Sequence, residues 1–393
     1  MLRHNNHNDT VLIQPELGTT VKKRKHHSPI GYELPSHLPP PILPDDLIFE
    51  ILLILPVRSL LQFRCVCKSW KTLISNPLFT KNQLRLSMLN PTITHQQLVS
   101  SNITHNCKIV SCPVKPLFEN PSEPVEPVSV RMNRKYHILG SCNGLLCLYD
   151  IHLGYVRLWN PATRLRSRKS PKFVGSDGVI TCHGFGYDHV NDKYKVLVVV
   201  GDLNESVTKL YTFGETENSW TTIQDFPCIP TRWLGKFVNG SLNWFAKEGF
   251  GCNQWIILTF DLAKETYGKL LLPRQKDGDR ICNPVLDVLS NCLCICFDSN
   301  ETHWVLWLMK EYGVEESWTK LMLIPHAKFW HPKYRPCFKP LCILDNGVIL
   351  MKTLYSILVL YDANTGMLDY PRTLGKLGLD LHVYHETLIS PLW

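Results

Sequence analysis

Residues 43–74 read LPDDLIFEILLILPVRSLLQFRCVCKSWKTLI, and this stretch decides how the first part of the chain folds. Residues 47–55 are apolar with the single exception of Glu50. A helix that is apolar on nearly all sides must be covered on nearly all sides, and this run is shorter than the roughly 20 residues that cross a bilayer. The cover therefore has to come from this chain and from a second protein, which predicts a docking module.

The first helix of this module has recognisable ends. Asp45 and Asp46 follow Pro44, and carboxylates at a helix start meet the positive end of the helix dipole. Pro56 ends the helix, since proline cannot donate to the preceding turn. A second helical series has apolar residues at steps of three and four, namely Phe63, Val66, Cys67, Trp70, Leu73 and Ile74. We expect Trp70 and Leu73 to pack inside the module.

The same residues resemble the F-box, the motif that binds Skp-family adaptors of cullin-based ubiquitin ligases. The resemblance is carried by the apolar positions above together with Arg64 and Lys68. It implies contact with a Skp-family adaptor, and through it with cullin and RING subunits, at Leu43, Pro44, Leu47, Ile51, Leu52, Leu55, Pro56, Leu60, Leu61, Val66 and Cys67.

Length and composition indicate a multidomain chain. Its 393 residues accommodate two folded units and a tail, and 44% hydrophobic residues suffice for large cores. The start of the chain is polar and unlike a signal peptide, and no apolar run is long enough to span a membrane. We therefore expect a protein of the cytoplasm, the nucleus or both, without a membrane partner, whose fifteen cysteines are reduced.

Residues 1–39 are predicted to be a disordered basic tail, because they lack periodicity and end in proline-rich sequence. The run Lys22–Lys25 fits a nuclear import signal and fits a solvated basic patch equally well. The net charge of +8 is too dilute over the whole chain to argue for nucleic acid as a partner.

The rest of the chain repeats itself. Turn-forming pairs precede strand-like runs at Asn143, Asn191, Asn239, Asn291 and Asn346, with spacings of 48 to 55 residues. A second series of strand-like segments runs in step with the first. This period is typical of kelch-type blades, each a four-stranded sheet. Five blades are visible, and a sixth is predicted from residues 84–135 together with the final LHVYHETLI, which would close the ring.

This second part resembles the plant F-box proteins that carry an F-box-associated, kelch-like domain. Its signatures are WNPAT from Trp159, GFGYD from Gly184 and YKV from Tyr194, although a regular Gly-Gly doublet is missing. The predicted fold is a small helical domain (40–84) followed by an all-β propeller of about six blades (85–393).

Neither a catalytic constellation nor a metal site is recognisable in the sequence. Cys292, Cys294 and Cys296 alternate on one face of a strand, whereas zinc sites use pairs of ligands at turn spacings. No histidine lies in a metalloprotease motif, and phosphate-binding glycine loops are missing. We therefore expect no cofactor and no enzymatic activity of the chain itself.

The target-binding surface is the least readable part of the sequence. Residues 326–339, HAKFWHPKYRPCFK, combine aromatic and basic side chains as interface anchors do, although a connector between blades would explain them as well. The candidate target-binding residues are Arg232, Trp233, Trp330, Lys333, Tyr334 and Arg335.

The sequence thus favours the substrate-recognition subunit of a Skp–cullin–F-box ubiquitin ligase, whose propeller holds a target protein for ubiquitination and degradation. Two alternatives remain open. A propeller-based enzyme would need ligands or carboxylates clustered on the ring axis, and a chromatin- or RNA-binding scaffold would use the basic tail and residues 326–339.

Overall fold

The fold was analysed in a computed structural model. It describes residues 43–89, 95–102, 107–173, 180–201, 206–247, 255–274, 281–300, 302–326, 338–353, 356–374, 377–378 and 380–392. Contacts divide the chain into two units, Met1–Asp45 and Asp46–Trp393. The tail with its basic run lies outside the described residues, and so do Trp330, Lys333, Tyr334 and Arg335.

Four helices make up the N-terminal module, namely α1 (Asp45–Leu53), α2 (Val57–Phe63), α3 (Lys68–Ser75) and α4 (Pro77–Leu89). The predicted second helix is divided in two, because the chain turns between α2 and α3 and Cys67 caps α3 by accepting from the Trp70 N–H. Asn76 ends α3 and starts α4, since its Oδ1 accepts from the Leu78 N–H at 2.8 Å.

The remaining chain forms a six-bladed propeller, which confirms the predicted blade count. The strands of each blade are given from the axis outwards. Blade 1 consists of β24 (Leu381–His385), β1 (Gln96–Asn102), β2 (Lys108–Pro113) and β3 (Val128–Arg131), and blade 2 of β4 (Tyr136–Cys142), β5 (Leu145–Asp150) and β6 (Tyr155–Trp159). Blade 3 consists of β7 (Ile180–Asp188), β8 (Lys193–Gly201), β9 (Ser206–Thr212) and β10 (Thr221–Thr222). A short helix, α5 (Lys115–Glu119), connects β2 and β3.

The other three blades follow the same plan. Blade 4 consists of β12 (Lys236–Val238), β13 (Ser241–Lys247), β14 (Trp255–Asp261) and β15 (Thr266–Leu270), with β11 (Ile229–Pro230) beside β13. Blade 5 consists of β16 (Ile281–Leu289), β17 (Cys292–Ser299), β18 (His303–Met309) and β19 (Trp318–Pro325). Blade 6 consists of β20 (Lys339–Ile343), β21 (Val348–Lys352), β22 (Leu358–Asp362) and β23 (Leu368–Asp369).

The ring closes through its last strand. β24 pairs antiparallel with β1, so blade 1 combines the C-terminal strand with three strands from the start of the propeller. This arrangement confirms the prediction that the final LHVYHETLI completes a sixth blade. Pairing with β24 covers the inner edge of β1, and a long exposed strand edge would be a template for aggregation.

The two faces of the propeller differ in what they carry. In blades 2 to 6 the turn from the first to the second strand opens on one face, and the connection to the next blade opens on the other. The helical module packs on the first of these, which we call the module face: Leu84 and Met88 of α4 share a core cluster with Cys142 and Leu145 beside the β4–β5 turn. We call the other one the opposite face.

The helical region is longer than predicted. Residue 84 was expected to end it, but α4 continues to Leu89. The reason is a helical spacing of four between Leu84 and Met88, which directs both side chains into the same propeller cluster.

Candidate docking surfaces

The first helix presents an apolar surface that the described part of the chain does not cover. Leu47 and Ile51 are 48% and 46% exposed, although both are large apolar residues. They lie four positions apart and therefore on one helix face, and Ile54 follows three residues later with 74% exposure. We call Leu47, Ile51 and Ile54 the α1 ridge. Exposed apolar side chains grouped in this way mark an interaction surface.

Other predicted adaptor-binding residues are distributed unevenly over the module. Those that are exposed are Leu43, Pro44, Pro56, Val66 and Cys67, and those that are half-buried are Leu55 and Leu61. A hydrogen bond with the Ser69 side chain and one with the Trp70 N–H lower the pKa of the Cys67 thiol.

Leu52 and Leu60 do not reach the surface. They are 1% and 0% exposed and belong to the core cluster of the module, together with Val57, Ile74 and Phe79. Leu388 from the C-terminus and Ala162 from the propeller complete this cluster. The chain itself covers both leucines in this structure, whereas Leu47 and Ile51 of the predicted docking set are exposed.

The candidate target-binding residues that the structure describes lie on the opposite face. Trp233 is 70% exposed and Arg232 is exposed, in the connection that leads into β12. The Trp233 carbonyl accepts from the His183 N–H at 2.7 Å, which fixes this connection to the start of β7.

The other candidate segment, residues 326–339, is described only at its ends, which lie on the same face. Its described ends, His326 and Phe338, both pack against Trp304, with ring centroids 3.9 and 4.5 Å apart. The connection around Trp233 and the described ends of this segment therefore lie on one face, opposite to the helical module, a relation that sequence spacing alone did not reveal.

A cavity on the propeller axis with charged side chains in its lining is the feature that the sequence did not predict. It has a volume of about 410 Å³, and its lining includes Lys236, Asp287, Lys339 and His382. Each of these comes from a different blade. In the sequence, this cavity is indicated only by polar or charged residues in the innermost strands β12, β16, β20 and β24. Such residues do not show that the four strands meet around one cavity.

Among the described residues, no three histidine, cysteine or carboxylate side chains come together as a metal site would require. Cys294 and Cys296 lie in the core between blades 5 and 6, as predicted, and burial raises the pKa of the Cys294 thiol. No helix in the described ranges is both long and apolar enough to cross a bilayer.

The structure combines a propeller with an attached helical module and an exposed apolar ridge, and comparison with known proteins identifies the family. The family model described as F-box associated beta propeller domain matches residues 97–361, and that of the F-box domain matches residues 41–82. The chain belongs to the F-box proteins with an F-box-associated propeller.

Individual relatives are consistent with this assignment. The Arabidopsis thaliana F-box/kelch-repeat protein At3g23880 is 31% identical over 89% of this chain and 96% of its own length. The Arabidopsis thaliana F-box protein CPR1 is 26% identical over 73% of this chain and 74% of its own length. Among solved structures, a nidogen/laminin complex covers 74% of this chain and 99% of its own at 10% identity, with a TM-score of 0.44.

Proposed function

We propose that this F-box protein is the substrate-recognition subunit of a Skp–cullin–F-box ubiquitin ligase. The observation that supports this most directly is the α1 ridge, a group of large apolar side chains left uncovered on the helix that carries the F-box motif. A Skp-family adaptor would cover the ridge and connect the chain to cullin and RING subunits. The protein would act in the cytoplasm, the nucleus or both.

Its contribution to the reaction would be proximity, with the ubiquitin chemistry carried out by other subunits. A target held on the propeller meets the ubiquitin-conjugating enzyme at a high effective concentration. Proximity is useful only if the two binding surfaces keep a defined separation. The shared cluster of Leu388 with Leu52 and Leu60 supports this, because it joins the helical module to the end of the propeller chain.

The target surface would be the opposite face around Arg232 and Trp233, to which we assign Trp330, Lys333, Tyr334 and Arg335 as further contacts. The support is the exposure of Trp233, since a solvent-exposed tryptophan is a typical interface anchor. Placing adaptor and target on opposite faces would leave the two surfaces free to bind at once.

Adaptor binding is tested with Ile51→Asp in the full-length chain. A carboxylate in a desolvated apolar contact should weaken the affinity for a Skp-family adaptor on the order of a hundredfold or more, measured by co-precipitation and isothermal titration. The matched control is Met367→Asp, which replaces a similarly exposed apolar residue on the propeller. Undiminished binding by Ile51→Asp would overturn the proposed interface.

The same chains distinguish target binding from adaptor binding. Proximity labelling with the proteasome blocked should recover the target with the wild-type chain and with Ile51→Asp. The variant should also prolong the lifetime of the target, because it no longer delivers the target to the ligase. Trp233→Ala should keep adaptor binding and lose the target. Labelling that is identical for wild type and Trp233→Ala would place the target surface elsewhere.

A further inference from the structure

The axial cavity is lined by four charged or ionisable side chains from four different blades, beside further ionisable groups such as His189, Tyr384 and His385. Lys236 lies on β12, Asp287 on β16, Lys339 on β20 and His382 on β24. The cavity also has Leu84 and Met88 of helix α4 in its lining. Its volume of about 410 Å³ is within the range of pockets that hold small organic ligands.

The charges in the cavity do not balance. Lys236 Nζ lies 2.8 Å from Asp287 Oδ1, which is a direct ion pair. Lys339 Nζ lies 3.7 Å from Asp287 Oδ2, too far for a hydrogen bond, and donates instead to the Leu381 carbonyl at 2.6 Å. Lys352 and Asp380 also act on Lys339, with opposite signs. When Lys236 and Lys339 are both protonated, the two ammonium groups share the Asp287 carboxylate, and an excess of positive charge remains.

The electrostatics of the individual groups reflect this excess. Burial and the neighbouring charge of Lys236 lower the pKa of Lys339 to about 7, although Asp287 acts in the opposite direction. Burial also lowers the pKa of His382, as do the two lysines. His382 is 7% exposed, and its residue lines the cavity.

We propose that the axial cavity binds a small organic anion, recognised through a phosphate or carboxylate group placed between Lys236, Lys339 and His382. Such a group would accept hydrogen bonds from both ammonium groups and from the imidazole, and it would compensate the second positive charge. In a poorly solvated cavity this interaction is much stronger than on a surface. The cavity lining shares no residue with the α1 ridge or with Arg232 and Trp233.

The first test measures thermal unfolding of the full-length chain in inorganic phosphate or malonate, with chloride at equal ionic strength as reference. Anion binding should raise the melting temperature saturably, because a ligand that binds only the folded state stabilises it. Lys339→Met and Lys236→Met should each abolish this rise. Lys264→Met, whose side chain is 79% exposed on a propeller turn, should retain it.

The second test does not require a variant to remain fully stable. The titration of Lys339 is followed by NMR in the wild-type chain labelled at lysine, with assignment from Lys339→Met. In chloride the titration midpoint of Lys339 should lie near pH 7. A saturating anion should raise this midpoint by at least one pH unit. One unit corresponds to a tenfold difference in anion affinity between the protonated and the neutral lysine.

The outcomes separate clearly. A response to phosphate alone assigns a phosphorylated ligand, and a response to both anions or to malonate alone assigns a carboxylate-bearing one. The proposal is overturned if neither anion differs from chloride in both measurements, which would make the cluster a structural connection between blades. It is also overturned if the stabilisation persists in both lysine variants, which would place the anion elsewhere.

Discussion

At the scale of single residues, two signature motifs meet in one buried ion pair. Lys195 Nζ lies 3.0 Å from Asp188 Oδ2 and 2.8 Å from Glu265 Oε1, and it donates to the Leu262 carbonyl at 2.7 Å. Asp188 belongs to GFGYD and Lys195 to YKV, whereas Glu265 and Leu262 belong to the next blade. The signatures therefore have a structural role, which is to fasten blade 3 to blade 4.

The pKa values follow from this geometry. Burial alone would raise the pKa of Asp188, but hydrogen bonds from Asn191 and Lys195 outweigh it and hold the pKa below the ordinary value of 3.8. Because the folded pKa lies below the unfolded one, the Asp188 charge stabilises the fold fully above pH 3.8. This contribution is lost as the pH falls through the folded value.

We predict that Lys195→Met lowers the free energy of unfolding by about 3–5 kcal/mol at pH 7, because it leaves the Asp188 carboxylate buried without its cation. The pKa of Asp188 should then rise, so that acid unfolding begins at a higher pH than in wild type. Urea unfolding at pH 7 and an acid titration followed by tryptophan fluorescence measure both effects.

The control for this prediction is Lys264→Met, which removes an exposed lysine 3.9 Å from a carboxylate and should cost less than about 1 kcal/mol. Equal stability of Lys195→Met and Lys264→Met would contradict the prediction. The double variant Asp188→Asn with Lys195→Met should recover part of the loss, since no charge then remains unpaired.

Residue burial was only partly predictable from the sequence. The periodicity of the first helix could not tell Leu52 from Ile51, because apolar residues surround the helix on nearly every side. What decides between them is Leu388 and Ala162, which cover the side of the module that contains Leu52 and come from distant parts of the chain. Such contacts leave no trace in a local pattern.

At the scale of elements, local chemistry predicted the turns well. Asn143 and Asn239 have φ of 49° and 48°, and the glycines that follow them also have positive φ, as tight hairpins require. Gly144 has a second reason to be glycine, because a Cβ there would lie 2.4 Å from Thr387 Oγ1. The first property is readable from an Asn-Gly pair, whereas the second depends on a segment more than two hundred residues away.

Asn160 of the WNPAT signature fixes the C-terminal segment to blade 2. Its Nδ2 donates to the carbonyls of Thr387 and Ile389 at 2.9 and 2.8 Å. Its Oδ1 accepts from the N–H groups of Ala162 and Thr163, and the residue is fully buried. One amide thus satisfies four backbone groups and connects the chain end to the propeller.

We predict that Asn160→Asp destabilises the protein by about 2–5 kcal/mol, although it changes only one atom of the side-chain end. The replacement keeps the acceptor for the two N–H groups but sets an oxygen against two carbonyl oxygens, and a buried group without its partner costs about 1–3 kcal/mol. Thermal and urea unfolding measure the loss, and hydrogen exchange of the C-terminal segment should accelerate.

Asn364→Asp is the matched control for this element. Its Nδ2 also donates to a carbonyl, that of Asn346 at 2.6 Å, but in an exposed turn where water can replace the bond. A change within about 1 kcal/mol is expected there. If Asn160→Asp proves as mild as Asn364→Asp, the C-terminal segment is not held by this amide.

At the scale of the whole molecule, the helical module and the propeller form one compact unit from Asp46 onwards. The repeat spacing predicted the ring and its closure because every blade repeats the same local pattern. It could not predict how the module is attached, since this depends on single contacts that do not repeat. Helix α4 makes several of them: Leu84 and Met88 join a propeller core cluster, and Lys81 Nζ lies 2.6 Å from Asp192 Oδ2 on the surface.

Helix α4 should therefore behave as part of the propeller when the chain is shortened. We predict that a fragment starting at residue 95 unfolds at a temperature at least about 5 °C below that of a fragment starting at residue 77, because removing a buried leucine costs about 2–5 kcal/mol. It should also bind a hydrophobic dye, since Cys142, Leu145 and Ile389 lose the cover of Leu84.

Point variants of the full-length chain test the same contact. Leu84→Ala should also lower the melting temperature, whereas Leu78→Ala should not, because Leu78 is 66% exposed on the same helix. Equal melting temperatures of the two fragments would show that the propeller is complete without α4.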